Sequence, residues 1–346
     1  MKHLKYILVS LIAGAALASC ENSEQDFPDF DGGTKAYFAY QYPVRTITLG
    51  EDPEQDNTLD NSHRCRITAT HGGSYEPRDA KMEIEIDNTL TDNLYFENGT
   101  PVKPMPEDYY RLSSNKLTHI KSFLYGSEIE LTDKFFADPA SLENTYVIPA
   151  RIIKADGCDG ILSGSPVFEG DTPSPCDATA WKVQPKDYVL YCVKYINPWH
   201  ATYLRRGVDI ITEDGGAMVK YVRRGKYRES DEVVSVTTGG YNIAKFPVKT
   251  QVSENGGIAT RTCVLDLTFD GDNCTISTST HGMTATGSGK FVKDGEKKGW
   301  GNQDHNVLYL EYNIDFGGKT YETMDTLVVQ SRNIVMEEFK PTYKVN

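Results

Sequence analysis

The chain has 346 residues, of which 39% are apolar, and a net charge of −13 at pH 7. This length predicts two domains, each with enough apolar residues to bury a core. The acidic balance argues against a nucleic-acid partner, because a site for a phosphate backbone needs concentrated lysine and arginine. A neutral or basic ligand is easier to accommodate.

Residues 1–19 have the pattern of a targeting segment that is not part of the fold. Lysines near the start precede the apolar stretch 6–17, which is too short for a permanent membrane-spanning helix. The segment ends in LASC, and this ending resembles a bacterial lipobox, whose cysteine is lipidated and becomes the first mature residue. Cys20 would then carry an outer-membrane anchor, followed by a flexible acidic tether over residues 20–33. An ordinary signal peptide with a chance cysteine is the alternative.

Residues 34–155 predict short strands separated by turns. The clearest strand is AKMEIEID, in which Met82, Ile84 and Ile86 alternate with charged side chains, as in an antiparallel strand with one buried face. Roughly six to eight such strands in this region predict an immunoglobulin-like β-sandwich.

Residues 156–186 are rich in Gly, Pro, Ser and Asp and have no sustained period, which predicts a linker. Cys158 and Cys176 lie within it. A disulfide between them is a candidate staple for the linker, because an extracytoplasmic compartment permits disulfides. The cysteine and histidine spacings fit no zinc site, and we expect neither a metal nor a cofactor.

Residues 187–346 predict an almost unbroken series of strands. In NVLYLEYNIDF, Leu308, Leu310 and Tyr312 are expected to face inward, whereas Tyr309 and Glu311 face outward. Consecutive hairpins of this kind close most simply into a lipocalin-like up-and-down β-barrel or a rolled β-sandwich. The whole chain is therefore predicted to be all-β.

The stretch DYVLYCVKYINPWHATYLRRG, residues 187–207, joins the two predicted domains. Its YINPWHATYLRRG run, preceded by WKVQPKDY, resembles the start of the C-terminal domain of Bacteroidetes surface lipoproteins. In that family the upstream half is a domain of unknown function 1735, and YFAYQYPVRTITLGE, IEIDNTL and YVIPARI match its order of features. Its members occur in polysaccharide-utilisation loci, often in the place of the starch-utilisation E and F lipoproteins. The resemblance implies a surface glycan-binding protein with an N-terminal spacer domain.

Signatures of the common enzyme classes are missing from the sequence. There is no HExxH motif, GILSG has its serine one place late for a nucleophile elbow, and TGSGKF lacks the Ser/Thr that ends a phosphate loop. Carboxylates are numerous, but no pair is singled out for glycoside hydrolysis. We therefore expect a protein without enzymatic activity.

Three places combine aromatic faces with polar side chains, the mixture that glycan binding needs. One is the start of the barrel domain, where a tryptophan also often plugs a barrel end. Another is the polar loop 293–306, in which a tryptophan has little core to enter. The last is a hairpin rich in tyrosine and arginine, which a solvated hairpin end explains equally well. The candidate residues in these three places are, in order, Trp199, His200 and Tyr203; Trp300, Asn302, Gln303, Asp304 and His305; and Tyr221, Arg223 and Tyr227.

The sequence thus predicts a cell-surface lipoprotein that captures polysaccharide or oligosaccharide for a neighbouring outer-membrane transporter and hydrolases. The alternative is a structural or adhesive surface lipoprotein that binds a protein partner through exposed strand edges. An enzyme is the third candidate.

Overall fold

A computed structural model describes residues 28–213, 215–254 and 257–344 of the chain. Short runs of alternating apolar and polar residues, punctuated by Gly, Pro and Asn turns, form strands almost throughout. The described residues contain two short α-helices, Thr58–Asn61 and Asp133–Ala137. The 3-10 turns are Asn88–Thr91, Pro139–Leu142, Ala178–Ala180 and Arg228–Ser230. The predicted all-β class is confirmed.

The N-terminal unit is built from fourteen strands of the described chain. They are β1 Lys35–Tyr37, β2 Pro43–Thr48, β3 Arg64–Gly72, β4 Lys81–Ile86, β5 Leu94–Tyr95, β6 Lys103–Pro104, β7 Tyr110–Leu112, β8 Lys116–Lys121, β9 Leu124–Leu131, β10 Tyr146–Asp156, β11 Gly160–Ile161, β12 Ser165–Pro166, β13 Trp181–Val183 and β14 Tyr188–Ile196.

The C-terminal unit and the tail that follows it contain the other eleven. They are β15 Ala201–Glu213, β16 Val219–Arg223, β17 Glu232–Thr238, β18 Ile243–Glu254, β19 Gly257–Asp270, β20 Asn273–Thr278, β21 Thr284–Glu296, β22 His305–Asp315, β23 Lys319–Ser331, β24 Glu337–Glu338 and β25 Thr342–Tyr343.

The N-terminal strands form a β-sandwich. One sheet path runs β11-β1-β3-β9-β8-β4-β10-β14-β2-β24, and β8 joins its two halves by pairing with both β9 and β4. Ile67 and Ile129 of the first half pack in one core with Ile84, Ile148 and Val193 of the second. Two sheet halves that face each other across one core make a sandwich. This agrees with the prediction for this part of the chain.

Strand β14 belongs to this sandwich, although its residues were expected to open the C-terminal domain. It pairs with β10 on one side and, in parallel, with β2 on the other. Val193 and Tyr195 enter the sandwich core, whereas Leu190 and Cys192 enter a second apolar cluster on the opposite face. A strand that is apolar on both faces can be satisfied only in the middle of layered structure. The change of domain therefore occurs at Asn197, ten residues after the predicted start at residue 187.

The predicted linker, 156–186, is folded onto the sandwich. Its strand β11 pairs with β1, and Cys176 is buried in the second apolar cluster. The same cluster contains Phe339 from the C-terminal tail, whose ring meets those of Tyr42 and Phe96 at centroid distances of 5.4 and 5.0 Å. Strands β24 and β25 pair with β2 and β5. The described residues that follow the barrel therefore pack as part of the N-terminal unit.

Eight strands close the C-terminal unit into an antiparallel barrel. Strands β15 and β17–β23 follow one another, and β15 pairs with β23 to close the ring. The first half of β15 also pairs with β17, and its second half pairs with β16, which lies outside the ring. Leu308, Leu310 and Tyr312 fill the lumen as expected. The predicted up-and-down barrel is confirmed.

Buried contacts hold the two units together at Asn197. Its side-chain amide donates to the carbonyls of Gly240 and Ile243, at 3.1 and 2.8 Å. The guanidinium of Arg332, just past β23, donates to the carbonyls of Leu49 and Asn197 at 3.0 and 2.9 Å. Because these buried backbone groups have partners in both units, the junction is well specified.

Candidate functional site

A groove with a volume of about 1030 Å³ crosses the outer face of the barrel. Its floor is the backbone of Cys274, Gly289, Leu310 and Asp325, which are successive cross-strand partners. The three side chains on this row point into the barrel and are buried. Since side chains alternate along a strand, the residues before and after each floor residue point outward.

These outward residues form the two walls of the groove. One wall is the cross-strand row Asn273, Lys290, Tyr309 and Thr326. The other is the parallel row Thr275, Ser288, Glu311 and Met324. With strands about 4.8 Å apart, the groove is roughly 19 Å long from β19 to β23. This length fits an extended ligand of several units.

The walls combine apolar surface with hydrogen-bonding groups. Tyr309 and Met324 are 40% and 57% exposed. Lys290 offers donors and Glu311 offers acceptors, and neither has an ion-pair partner among the described residues. Both walls also carry hydroxyl groups of serine or threonine. A ring that takes the C–H face of a sugar, beside groups that bond its hydroxyls, is the arrangement that glycan binding requires.

Trp300 lies in the long β21–β22 connection and is partly buried. Its ring stacks on His305 at a centroid distance of 3.5 Å. Asp304 binds Lys297 at 2.9 Å and the backbone N–H of Lys298 at 3.0 Å, so its carboxylate holds the connection together. Asn302 and Gln303 are exposed beside them. The predicted set is therefore brought together, and its glycan role stays a prediction.

Trp199 and Tyr203 are enclosed by the barrel and offer no face to a sugar. Trp199 is 9% exposed and stacks on Phe269 at a centroid distance of 3.6 Å, and Tyr203 is fully buried. The candidate role of these two residues is corrected: Trp199 plugs a barrel end, which was the structural alternative. Burial, and then the cations of Arg332 and Lys194, lower the pKa of His200 to about 4. Its neutral ring accepts a hydrogen bond from the Thr238 N–H at 3.1 Å.

The third predicted place divides between surface and interior. Tyr221 and Tyr227 are 56% and 61% exposed, and the Lys226 ammonium lies 5.1 Å from the Tyr227 ring centre. The Arg223 side chain turns inward and binds both oxygens of Asp209, at 2.6 and 2.9 Å. Tyr221 and Arg223, two residues apart on β16, lie on the same face of that strand.

A network of charged groups occupies the barrel lumen next to Arg223. Asp325 accepts hydrogen bonds from Arg205 at 2.9 Å, Arg223 at 2.6 Å and the Tyr312 hydroxyl at 2.7 Å. Burial alone would raise the pKa of the Asp209 carboxyl, but hydrogen bonds from Arg223 and Thr323 hold it below its usual value. Burial and the Asp325 charge raise the pKa of Tyr312 well above its usual range. The network therefore contains the ionised Asp209 carboxylate, two guanidinium groups and a neutral phenol at pH 7.

The proposed Cys158–Cys176 disulfide is not formed. All six cysteines of the described chain are free thiols. Cys176 is buried with its Sγ 3.5 Å from the Leu90 carbonyl, whereas Cys158 packs against the sandwich core. Burial raises the pKa of Cys176 to about 11. The two thiols lie in different apolar clusters, which is why they do not meet.

Within the described ranges, no group of three or more His, Cys, Asp or Glu side chains is arranged to hold a metal ion. In the same part of the chain, no helix combines the length and the apolar character needed to cross a bilayer.

Comparison with solved structures places the chain in a family. A protein of unknown function from Bacteroides ovatus, solved by crystallography, is 38% identical, with a TM-score of 0.84, over 92% of this chain and 100% of its own. The chain belongs to the family of this protein. Residues 198–333, which span the barrel, match a domain of unknown function, DUF5627, and residues 30–159 match a family model described as an N-terminal domain. No curated protein matches the chain.

Two further crystal structures show a weaker similarity to this chain. A multidomain protein from Bacteroides ovatus that includes DUF1735 is 12% identical, with a TM-score of 0.37, over 87% of this chain and 96% of its own. An auxiliary nutrient binding protein from Bacteroides thetaiotaomicron is 11% identical, with a TM-score of 0.37, over 83% of this chain and 90% of its own. A likeness at this level carries no conclusion about this family's function.

The groove residues were missed by the search for sites in the sequence, although one signal was present. Tyr309 was expected to face outward from a barrel strand, and an aromatic at such a position has no core to enter. The residues of the two walls come from four consecutive strands, β20–β23. Only the strand register brings them together.

Proposed function

We propose that this protein is a non-catalytic glycan-binding protein, and that the groove across β19–β23 holds the glycan. The observation that carries the proposal is the pair of walls on which Tyr309 and Met324 lie among polar side chains. A surface groove that crosses five strands accommodates an internal stretch of a polymer as well as its end. Such a protein would retain polysaccharide close to a transporter and to hydrolases that act on it.

Replacing Tyr309 by alanine tests this proposal. Because truncation of a central aromatic contact typically costs about 2 kcal/mol, we expect roughly thirtyfold weaker binding. The measurement is electrophoresis of the folded protein, residues 28–346, through gels that contain plant, fungal or host polysaccharides. Retardation of the parent protein by one polysaccharide, with loss of retardation in Tyr309→Ala, is the expected result.

Two comparison variants locate the site. Tyr40→Ala removes another exposed tyrosine, from the N-terminal unit, and should migrate like the parent protein. If Trp300→Ala loses retardation and Tyr309→Ala keeps it, the site is the β21–β22 loop. If no polysaccharide retards the parent protein, the glycan proposal fails. The adhesive alternative would then stand, with the unpaired edge of β16 as its binding surface.

The proposed location is the outer face of the cell, with the chain anchored through Cys20. This residue lies outside the described residues, and support comes from its position after the apolar segment in LASC. In Cys20→Ala cells we expect no labelled palmitate on the protein, because the thiol that receives the lipid is gone. Cys65→Ala is the matched control and should remain labelled, since Cys65 is a buried thiol of the sandwich. Palmitate on Cys20→Ala would exclude this anchor.

A further inference from the structure

A second recess, of about 550 Å³, opens where β16 leaves the barrel wall. Its lining includes Arg205, Tyr221, Arg223, Arg224, Ser230 and Glu232. The recess is separate from the groove, and no residue lines both. The residues that line the recess therefore form a candidate binding site distinct from the groove.

Two guanidinium groups point one nitrogen each into this recess. Lumen carboxylates fix the rest of both groups, because Arg205 binds Asp325 and Arg223 binds Asp209 and Asp325. The remaining Nη1 atoms lie 3.5 and 3.9 Å from the same oxygen, Oε2 of Glu232. A charge-assisted hydrogen bond to a carboxylate is normally about 2.7–2.9 Å long. Both donors are therefore poorly satisfied, and Nη1 of Arg223 is buried without a hydrogen-bond partner.

The position of the Glu232 carboxylate shows that the two nitrogens can bind a carboxylate group, but Glu232 itself is loosely held. Its side chain is 52% exposed and makes no contact with the arginines shorter than 3.5 Å. An exposed ion pair of this kind contributes little free energy, on the order of 0–1 kcal/mol. A ligand carboxylate can therefore take its place at small cost.

The surroundings of the recess favour an anion despite the acidic chain. Residues 219–228, VKYVRRGKYR, contain five basic residues and no acidic one, whereas the whole chain has a net charge of −13. Arg224 is exposed and has no ion-pair partner among the described residues. A local cluster of cations on an acidic protein directs an anionic ligand to one place.

Tyrosine rings beside the arginines make a sugar the best occupant. Tyr221 lines the recess and Tyr227 lies close by in sequence, and both rings are more than half exposed. We propose that the recess binds the carboxylate of an acidic sugar unit, with Arg205, Arg223 and Arg224 as donors and Tyr221 as the platform. This inference rests on the proposed glycan-binding function and adds to it a preference for uronic-acid polysaccharides.

Substitutions at Glu232 and Arg224 test the inference while leaving every buried residue of the lumen network unchanged. Glu232→Gln removes the competing charge and should strengthen binding of polyuronates about threefold or more. Arg224→Gln removes one charged donor and should weaken it about tenfold, as expected for one charge-assisted hydrogen bond. Lys121→Gln, which makes the same charge change on the N-terminal unit, should bind like the parent protein.

The probes are polygalacturonate, alginate and glucuronate oligosaccharides, each beside its methyl-esterified form, in electrophoresis and calorimetric titration. Stronger binding of the acidic form, with opposite effects of the two variants, is expected. If neutral polysaccharides bind and no acidic form is preferred, the recess inference fails while the glycan function stands. If no saccharide binds, both fail. Arg224-dependent binding of poly-L-glutamate without polyuronate binding would assign the recess to an acidic polypeptide.

Discussion

Replacing Asp325 by alanine is expected to lower the free energy of unfolding by about 3–5 kcal/mol, the usual cost of removing one partner from a buried ion pair. Asp325 is 3% exposed and accepts hydrogen bonds from Arg205, Arg223 and the Tyr312 hydroxyl. Its loss would leave two cations and a phenol in the lumen without their common acceptor. The measurement is urea unfolding followed by circular dichroism.

Glu322→Ala is the matched control for this change. Glu322 lies on the same strand as Asp325, three residues earlier, and its side chain is exposed on the outer face. Surface substitutions of this kind usually change stability by no more than about 0.5 kcal/mol. Equal unfolding midpoints for the two variants would contradict the role assigned to the lumen network. Asp325→Asn should lie between them, because the amide keeps one acceptor but loses the charge.

The barrel was predictable from the sequence because its strands have one buried and one exposed face. The alternation in β22 identified Leu308, Leu310 and Tyr312 as lumen residues, and all three are buried. The same alternation places Val307 on the outer face, where it is nevertheless fully buried. The irregular end of β21 accounts for this, because its register with β22 shifts between Val292 and Glu296, and a Cβ at Gly295 in this stretch would lie 3.2 Å from the Val307 Cβ. An irregularity in a neighbouring strand leaves no mark in a strand's own period.

The domain boundary was predicted too early in the chain for a related reason. Strand β14 is a continuous apolar run, and period alone cannot show whether such a run opens one domain or fills the centre of another. The deciding feature is Gly50, which has φ +82° and lies against Pro198, with room for no Cβ. This close approach ends the parallel pairing of β14 with β2 and turns the chain into the barrel. Sequence alone does not show which residue lies opposite a glycine.

The candidate sites show where residue type is informative and where it is not. Aromatics with polar neighbours were singled out as candidates, but the same mixture describes a barrel plug, as at Trp199, and a loop, as at Trp300. The groove, in contrast, depends on the register of four strands, with Tyr309 beside Lys290 and Thr326. Register is set by hairpin geometry and by which face is buried, so it follows from the closed barrel.

The burial of Trp199 leads to the second large expected effect on stability. Trp199→Ala should destabilise the protein by about 3–5 kcal/mol, the range for removing a large buried aromatic. The indole is 9% exposed, packs among lumen residues and stacks on Phe269 at an interplanar angle of 7°. Trp199→Phe should recover part of the loss because it keeps a stacked ring.

Trp300→Ala, in the partly exposed loop, is the control and should lower the free energy of unfolding by about 1 kcal/mol or less. Urea unfolding followed by circular dichroism compares the three, and a Trp199→Ala midpoint no lower than that of Trp300→Ala would show that the indole does not close the barrel.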